Sequence, residues 1–173
     1  TIFHPCVFYE YQEHKDAQNH YSCPMVASYA ENLKNNVEAV TEGKIRYIRP
    51  FVAFTNEKVA AERLVKVCKE EWNIPAGEVK EAVRLAWAEQ RKAKADIVAE
   101  GQKVLKEMEE KGGSGIVLAG RPYHIDPEIN HGIPELIASY GLTVLTEDSL
   151  PDPEEDQHLR IVDQWVYHSR LYS

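Results

Sequence analysis

Residues Gly115–Asp148 read GIVLAGRPYHIDPEINHGIPELIASYGLTVLTED. An apolar run, Ile116–Ala119, stops at Gly120 and gives way to a dense polar cluster: Arg121, Tyr123, His124, Asp126, Asn130 and His131. A helical apolar pattern starts at Ile133, and a second apolar run, Leu142–Leu145, ends in Thr146, Glu147 and Asp148. The order strand, loop, helix, strand is a βαβ unit. Its reactive side chains crowd the carboxyl end of the first strand, the edge where open α/β sheets receive their ligands. Loops that concentrate Arg, His, Asn and Tyr are where binding residues collect.

Working outward, a long amphipathic pattern precedes this stretch, from Ala76 to Lys111, with apolar or small residues at Val79, Val83, Ala86, Ala93, Ile97, Val104 and Met108. That spacing predicts one long helix. Gly101 weakens it locally, and Gly112, Gly113 and Gly115 end it. Downstream, Pro151–Asp156 is an acidic loop, and a final amphipathic helix is expected over 157–171, with Leu159, Val162, Trp165 and Val166 on its apolar side.

The N-terminal half repeats the alternation. Ile2–Phe8 reads as a buried strand, and Tyr9–Tyr21 as a long aromatic-rich loop of the kind that is usually functional. Ser22 is placed to cap a helix carrying Pro24 in its first turn and running to Val40. Ile45–Ile48 is a second strand, Arg49–Phe54 a crossover, and Thr55 or Asn56 the cap of a helix holding Val59, Leu64 and Val67. These readings predict an α/β fold of two parallel-sheet lobes joined by a long helix. The first lobe covers residues 1–75, the connecting helix 76–111, and the second lobe with its C-terminal helix 112–173.

With 20 Lys and Arg against 28 Asp and Glu, the 173 residues carry a net charge of −8, and no basic stripe offsets it. Nucleic acid is therefore excluded as the expected partner. No apolar run has the length of a membrane span. Three cysteines without framework spacing suit a reducing, cytoplasmic setting. The chain opens at Thr1 inside an apolar run, which reads as an excised piece of a longer protein.

Cys68 falls on an amphipathic pattern and reads as a packed thiol. Cys6 is expected at a strand end and Cys23 at a helix start, where a helix N-terminus favours thiolate, the form that binds metals. Their separation matches no compact zinc or ferredoxin spacing. In the Gly120–Gly132 loop, Arg121 suits bidentate pairing with a carboxylate or phosphate. His124 and His131 suit proton transfer or metal binding. Taken as a set, Arg121, Tyr123, His124, Asn130 and His131 read as a ligand or partner site. The plain alternative is that they hydrogen-bond one another and pin the loop to the neighbouring lobe.

GRPYHIDPEINHGIPELI with VLTEDS, DQWVYHSRLY near the C-terminus and FHPCVFYEYQEHKDAQNHYSCPMVASYAENLKNN near the N-terminus resemble a domain of the large acyl-CoA dehydratase activase-related proteins. These are relatives of the 2-hydroxyglutaryl-CoA dehydratase activase system of anaerobic bacteria. The resemblance implies Rossmann-like lobes similar to a dehydratase subunit, within a larger CoA-linked enzyme. It also implies a [4Fe–4S] cluster in the full-length protein, with Cys6 and Cys23 among its ligands. The chain departs from the dehydratase pattern after Leu145, where Glu147, Asp148 and Ser149 stand in place of a cysteine. Two thiolates fall short of a cluster, so none is expected in this chain alone. The functions implied are an iron–sulfur electron acceptor or an acyl-CoA-type ligand domain. The alternative is a non-catalytic assembly domain whose partners are the other domains of its parent. No nucleotide fingerprint accompanies these motifs, so the ATPase role lies elsewhere.

Overall fold

The computed structural model describes residues 1–12, 17–151 and 165–166. The chain is a mixed α/β protein of short parallel strand pairs and several helices. It divides into two compact units, Thr1–Trp87 with 157–172, and Ala88–Asp156.

In the first unit, β1 (Ile2–Phe3) pairs in parallel with β3 (Tyr47–Ile48), and β2 (Cys6–Tyr9) with β4 (Phe51–Ala53). The two pairs form one interrupted ladder. His4 N–H donates to Ile48 O and Cys6 N–H to Pro50 O, each at 2.8 Å, across the gaps at Pro5 and Pro50. Proline has no N–H to offer a ladder, so each strand breaks where one falls. The expected crossover at Arg49–Phe54 is corrected by this pairing: residues 51–53 continue the strand. The opening of the first strand is also less buried than its composition predicts, with Ile2 43 % exposed.

Between these strands, α1 (Pro24–Asn36) and α2 (Glu38–Thr41) form the crossover, broken at Val37. The N-cap of α1 is Cys23, not Ser22. Ser22 is drawn elsewhere: its hydroxyl donates to Glu10 Oε1 at 3.1 Å and its N–H to Phe8 O at 3.0 Å. Together with Glu10 N–H to His20 O (3.0 Å), these bonds close the base of the 9–21 loop, where Tyr9 and Tyr21 stack at 4.5 Å. Residues 13–16 of that loop lie outside the described residues.

Helix α3 (Glu57–Trp72) begins as expected at Asn56, whose side chain accepts Val59 N–H at 2.9 Å. It ends on Asn73 in the left-handed region, φ 57°, a conformation asparagine tolerates better than most residues. Helix α4 spans Ala76–Glu110, close to the expected bounds. Its first turns pack Val79 and Val83 against Ala61 of α3, with Leu64, Val65, Cys68, Ile74 and Trp87 around them.

The second unit is one βαβ: β5 (Gly115–Leu118), α5 (Ile133–Ser139) and β6 (Thr143–Thr146), the strands parallel and in register from Gly115↔Thr143 to Leu118↔Thr146. Parallel strands are ordinarily buried on both faces. Here Ile116 and Val117, which point to opposite faces, are 39 % and 43 % exposed. Apart from Trp165 and Val166, the expected C-terminal helix lies outside the described residues.

Candidate functional site

In the second unit, parallel pairing brings the carboxyl ends of β5 and β6 side by side. The Gly120–Gly132 loop leaves the first of these ends. A short turn, Glu147–Ser149, leaves the second. Thr146 N–H donates to Ser149 Oγ (3.2 Å) and the Ser149 hydroxyl donates back to Thr146 O (2.7 Å), which folds that turn tightly. Gly101 of α4 is buried against it: a Cβ built there would collide with the Ser149 carbonyl oxygen and lie 2.7 Å from its carbon. The glycine that reads in sequence as a weak point of the helix is a contact point.

The loop begins with a 3-10 turn over Pro122–Ile125. His124 Nδ1 accepts Arg121 N–H at 3.1 Å, and the ring works as a cap. Gly120 makes room for it, since a Cβ at this position would strike Nδ1 and lie 3.3 Å from Cγ. Tyr123 stands edge-on to the His124 ring, centroids 4.5 Å apart, and is 51 % exposed. Further along, Asp126 Oδ1 accepts Glu128 N–H, and Asn130 Oδ1 accepts Gly132 N–H, both at 2.9 Å. Asn130 is buried, and His131 follows it in the left-handed region, φ 54°, with its side chain exposed.

The five residues singled out from sequence therefore divide. His124 through Nδ1 and Asn130 through Oδ1 each hold a backbone N–H of the loop itself. Arg121, Tyr123 and His131 are left to face outward or partly so, and no hydrogen bond or ion pair holds the Arg121 guanidinium among the described residues. Arg121, Tyr123 and His124 share one turn. Asn130 and His131 sit at the far end of the loop, just ahead of α5.

In the first unit Cys6 lies at the amino end of a strand, not at a carboxyl end. Pairing resumes after Pro5, so Cys6 opens β2 and is wholly buried on the strand against which α1 packs. Burial pushes its thiol above the usual range; the Glu31 carboxylate adds to this, and Arg49 works against it. Cys23 is half-buried at the start of α1. A cluster needs deprotonated sulfur. Among the described residues no group of three or more His, Cys, Asp or Glu side chains is placed to hold a metal ion. Among the described residues, the side chains in place do not fit a [4Fe–4S] cluster.

Beside Cys6 lies a polar cluster that the sequence reading missed. His4 Nδ1 is 2.7 Å from the Tyr47 hydroxyl, and Arg49 Nε is 2.7 Å from Glu31 Oε1. Arg49 Nε has no properly directed hydrogen bond, so its link to Glu31 is one of charge more than of alignment. Burial raises the Tyr47 hydroxyl, with Cys6 and Glu31 adding and Arg49 opposing. Nothing in the linear order marks these residues; only the β1–β3 register sets His4 beside Tyr47.

Among the described residues no helix is long and apolar enough to cross a membrane. No curated protein and no solved structure matches the chain. The family model described as the CoA enzyme activase uncharacterised domain matches residues 1–150, and these include both the first unit's ribbon and the β5–α5–β6 loop site. The chain belongs to the family of the CoA enzyme activase uncharacterised domain.

Proposed function

We propose that this chain is a non-catalytic binding domain of a CoA enzyme activase-related protein of the 2-hydroxyacyl-CoA dehydratase type. Its two βαβ pieces are the cores of Rossmann-like lobes, and its ligand is an anionic small molecule of the acyl-CoA class. The observation that carries this reading is the division of labour in the 120–132 loop. Its inward polar atoms fix the backbone, and Arg121, Tyr123 and His131 remain available at the carboxyl ends of two parallel strands. A preformed loop has little ordering entropy to lose on binding. Arg121 supplies the charge for a phosphate or carboxylate, and Tyr123 an aromatic edge for the remainder.

The test is calorimetric titration of CoA and acetyl-CoA into the chain and its Arg121→Ala variant. A charge-assisted hydrogen bond contributes about 1.5–3 kcal/mol, so affinity should drop roughly ten- to a hundredfold. The melting temperature should stay in place, because no ion pair holds Arg121 among the described residues. CoA that fails to bind the unaltered chain, or binds both forms alike, would remove this reading.

A further inference from the structure

The first unit contains a hollow unrelated to the loop site. It has a volume of about 440 Å³ and lies between the second half of α3 and the first three turns of α4. Leu64, Cys68 and Trp72 follow one another at four-residue intervals along one wall, and Val79, Ala82, Val83 and Ala86 form the other. Those spacings put each set on a single helix face. Val79 and Val83 are the buried floor, while Ala82 and Ala86, too short to fill the gap, create the space. Ile74 closes one end with Phe3 and Trp72, whose rings meet edge to face at 5.6 Å. Both rings remain about two-fifths open, Phe3 at 41 % and Trp72 at 40 %.

Two features select an occupant. The volume falls in the range of small-molecule sites, about 300–1,000 Å³. Among the described residues lining it there is no Lys, Arg or His, and the one carboxylate is Glu78. A carboxylate or phosphate brought here would lose its hydration without a cation to replace it and would meet Glu78. An uncharged hydrocarbon chain or ring gives up no ionic hydration on entry and covers Phe3 and Trp72 from water. The ligand chosen here is thus opposite in character to the anion proposed for Arg121. We infer that the α3–α4 hollow binds a small uncharged apolar molecule, with the Cys68 thiol in its wall.

Cys68 makes the inference measurable, since an occupant shields it. The rate of Cys68 alkylation by N-ethylmaleimide, resolved from Cys6 and Cys23 by peptide mass spectrometry, is followed with and without 1-octanol. At ten times its dissociation constant octanol should slow Cys68 about tenfold. The same addition should leave Cys68 unaffected in Ala82→Phe, or in Ala86→Leu if the first variant does not fold. Octanoate at neutral pH should protect far less. The inference is overturned if octanol gives no protection up to its solubility limit, or if octanoate protects equally. Protection that grows with protein concentration alone would also overturn it, since a second copy would then be the occupant. None of these results depends on whether CoA binds at Arg121.

Discussion

Replacing Gly101 by alanine should destabilise the second unit, although the substitution favours a helix. In an exposed helix interior, glycine to alanine gains about 1 kcal/mol. At position 101 the added methyl would overlap the Ser149 carbonyl oxygen and sit 2.7 Å and 2.9 Å from the Ser149 carbonyl carbon and Cβ. Two of those three atoms are main chain and cannot swing aside as a side chain does. Relief requires α4 and the Glu147–Ser149 turn to separate, which strains the reciprocal Thr146–Ser149 hydrogen bonds. Overpacking of this kind costs about 1–3 kcal/mol, sometimes more, and rigid backbone puts the cost at the upper end. Set against the helical gain, the net loss is about 2 kcal/mol. Gly77 provides the control within the same helix, because a Cβ there meets nothing within 4 Å. Urea denaturation should show Gly77→Ala neutral to slightly stabilising and Gly101→Ala clearly weakened. Amide hydrogen exchange should place the loss at Thr146 and Leu150. If Gly101→Ala instead gains stability as Gly77→Ala does, the helix does not touch this turn in solution and the reasoning fails.

Asn56→Ala removes the acceptor of Val59 N–H at the start of α3 and should cost about 1 kcal/mol in urea denaturation, with Asn56→Asp recovering most of it. Gly120→Ala should displace the His124 ring and release the Arg121 amide, seen as faster exchange of that amide and a loss of about 0.5–1.5 kcal/mol. Burial raises the Cys6 and Cys68 thiols and the Tyr47 hydroxyl, so the folded chain keeps these protons to higher pH than the unfolded chain does. Their contribution to stability is complete below the ordinary thiol range and falls as pH rises through the raised folded values. Urea midpoints measured from neutral to strongly alkaline pH should decline, and less steeply in Cys68→Ala.

Local chemistry written in consecutive residues was legible without coordinates. Asn56 before an apolar-periodic stretch, Asn-Ile-Pro at 73–75 and the glycines from 112 onward place the ends of α3 and α4, because capping and chain breaking depend on neighbours a few positions away. The alternation of apolar runs around Gly120 and Leu142 likewise announces β5 and β6, since a parallel pair needs a crossover between its strands. What the sequence could not carry was anything set by register or approach. That Arg49–Phe54 continues a strand depends on which carbonyls stand opposite Cys6. That Cys6 is wholly buried depends on how α1 packs on β2. The His4–Tyr47 pair exists only because β1 and β3 align as they do. Gly101 looks like a helix defect until the backbone of Ser149 is seen against it, and that His124 Nδ1 caps the Arg121 amide is visible only in the fold. Propensity and periodicity are sums over near neighbours, so one sequence suffices to read them. Burial, pairing and the use of a polar atom are set by residues distant in the chain, and only the folded arrangement brings those together.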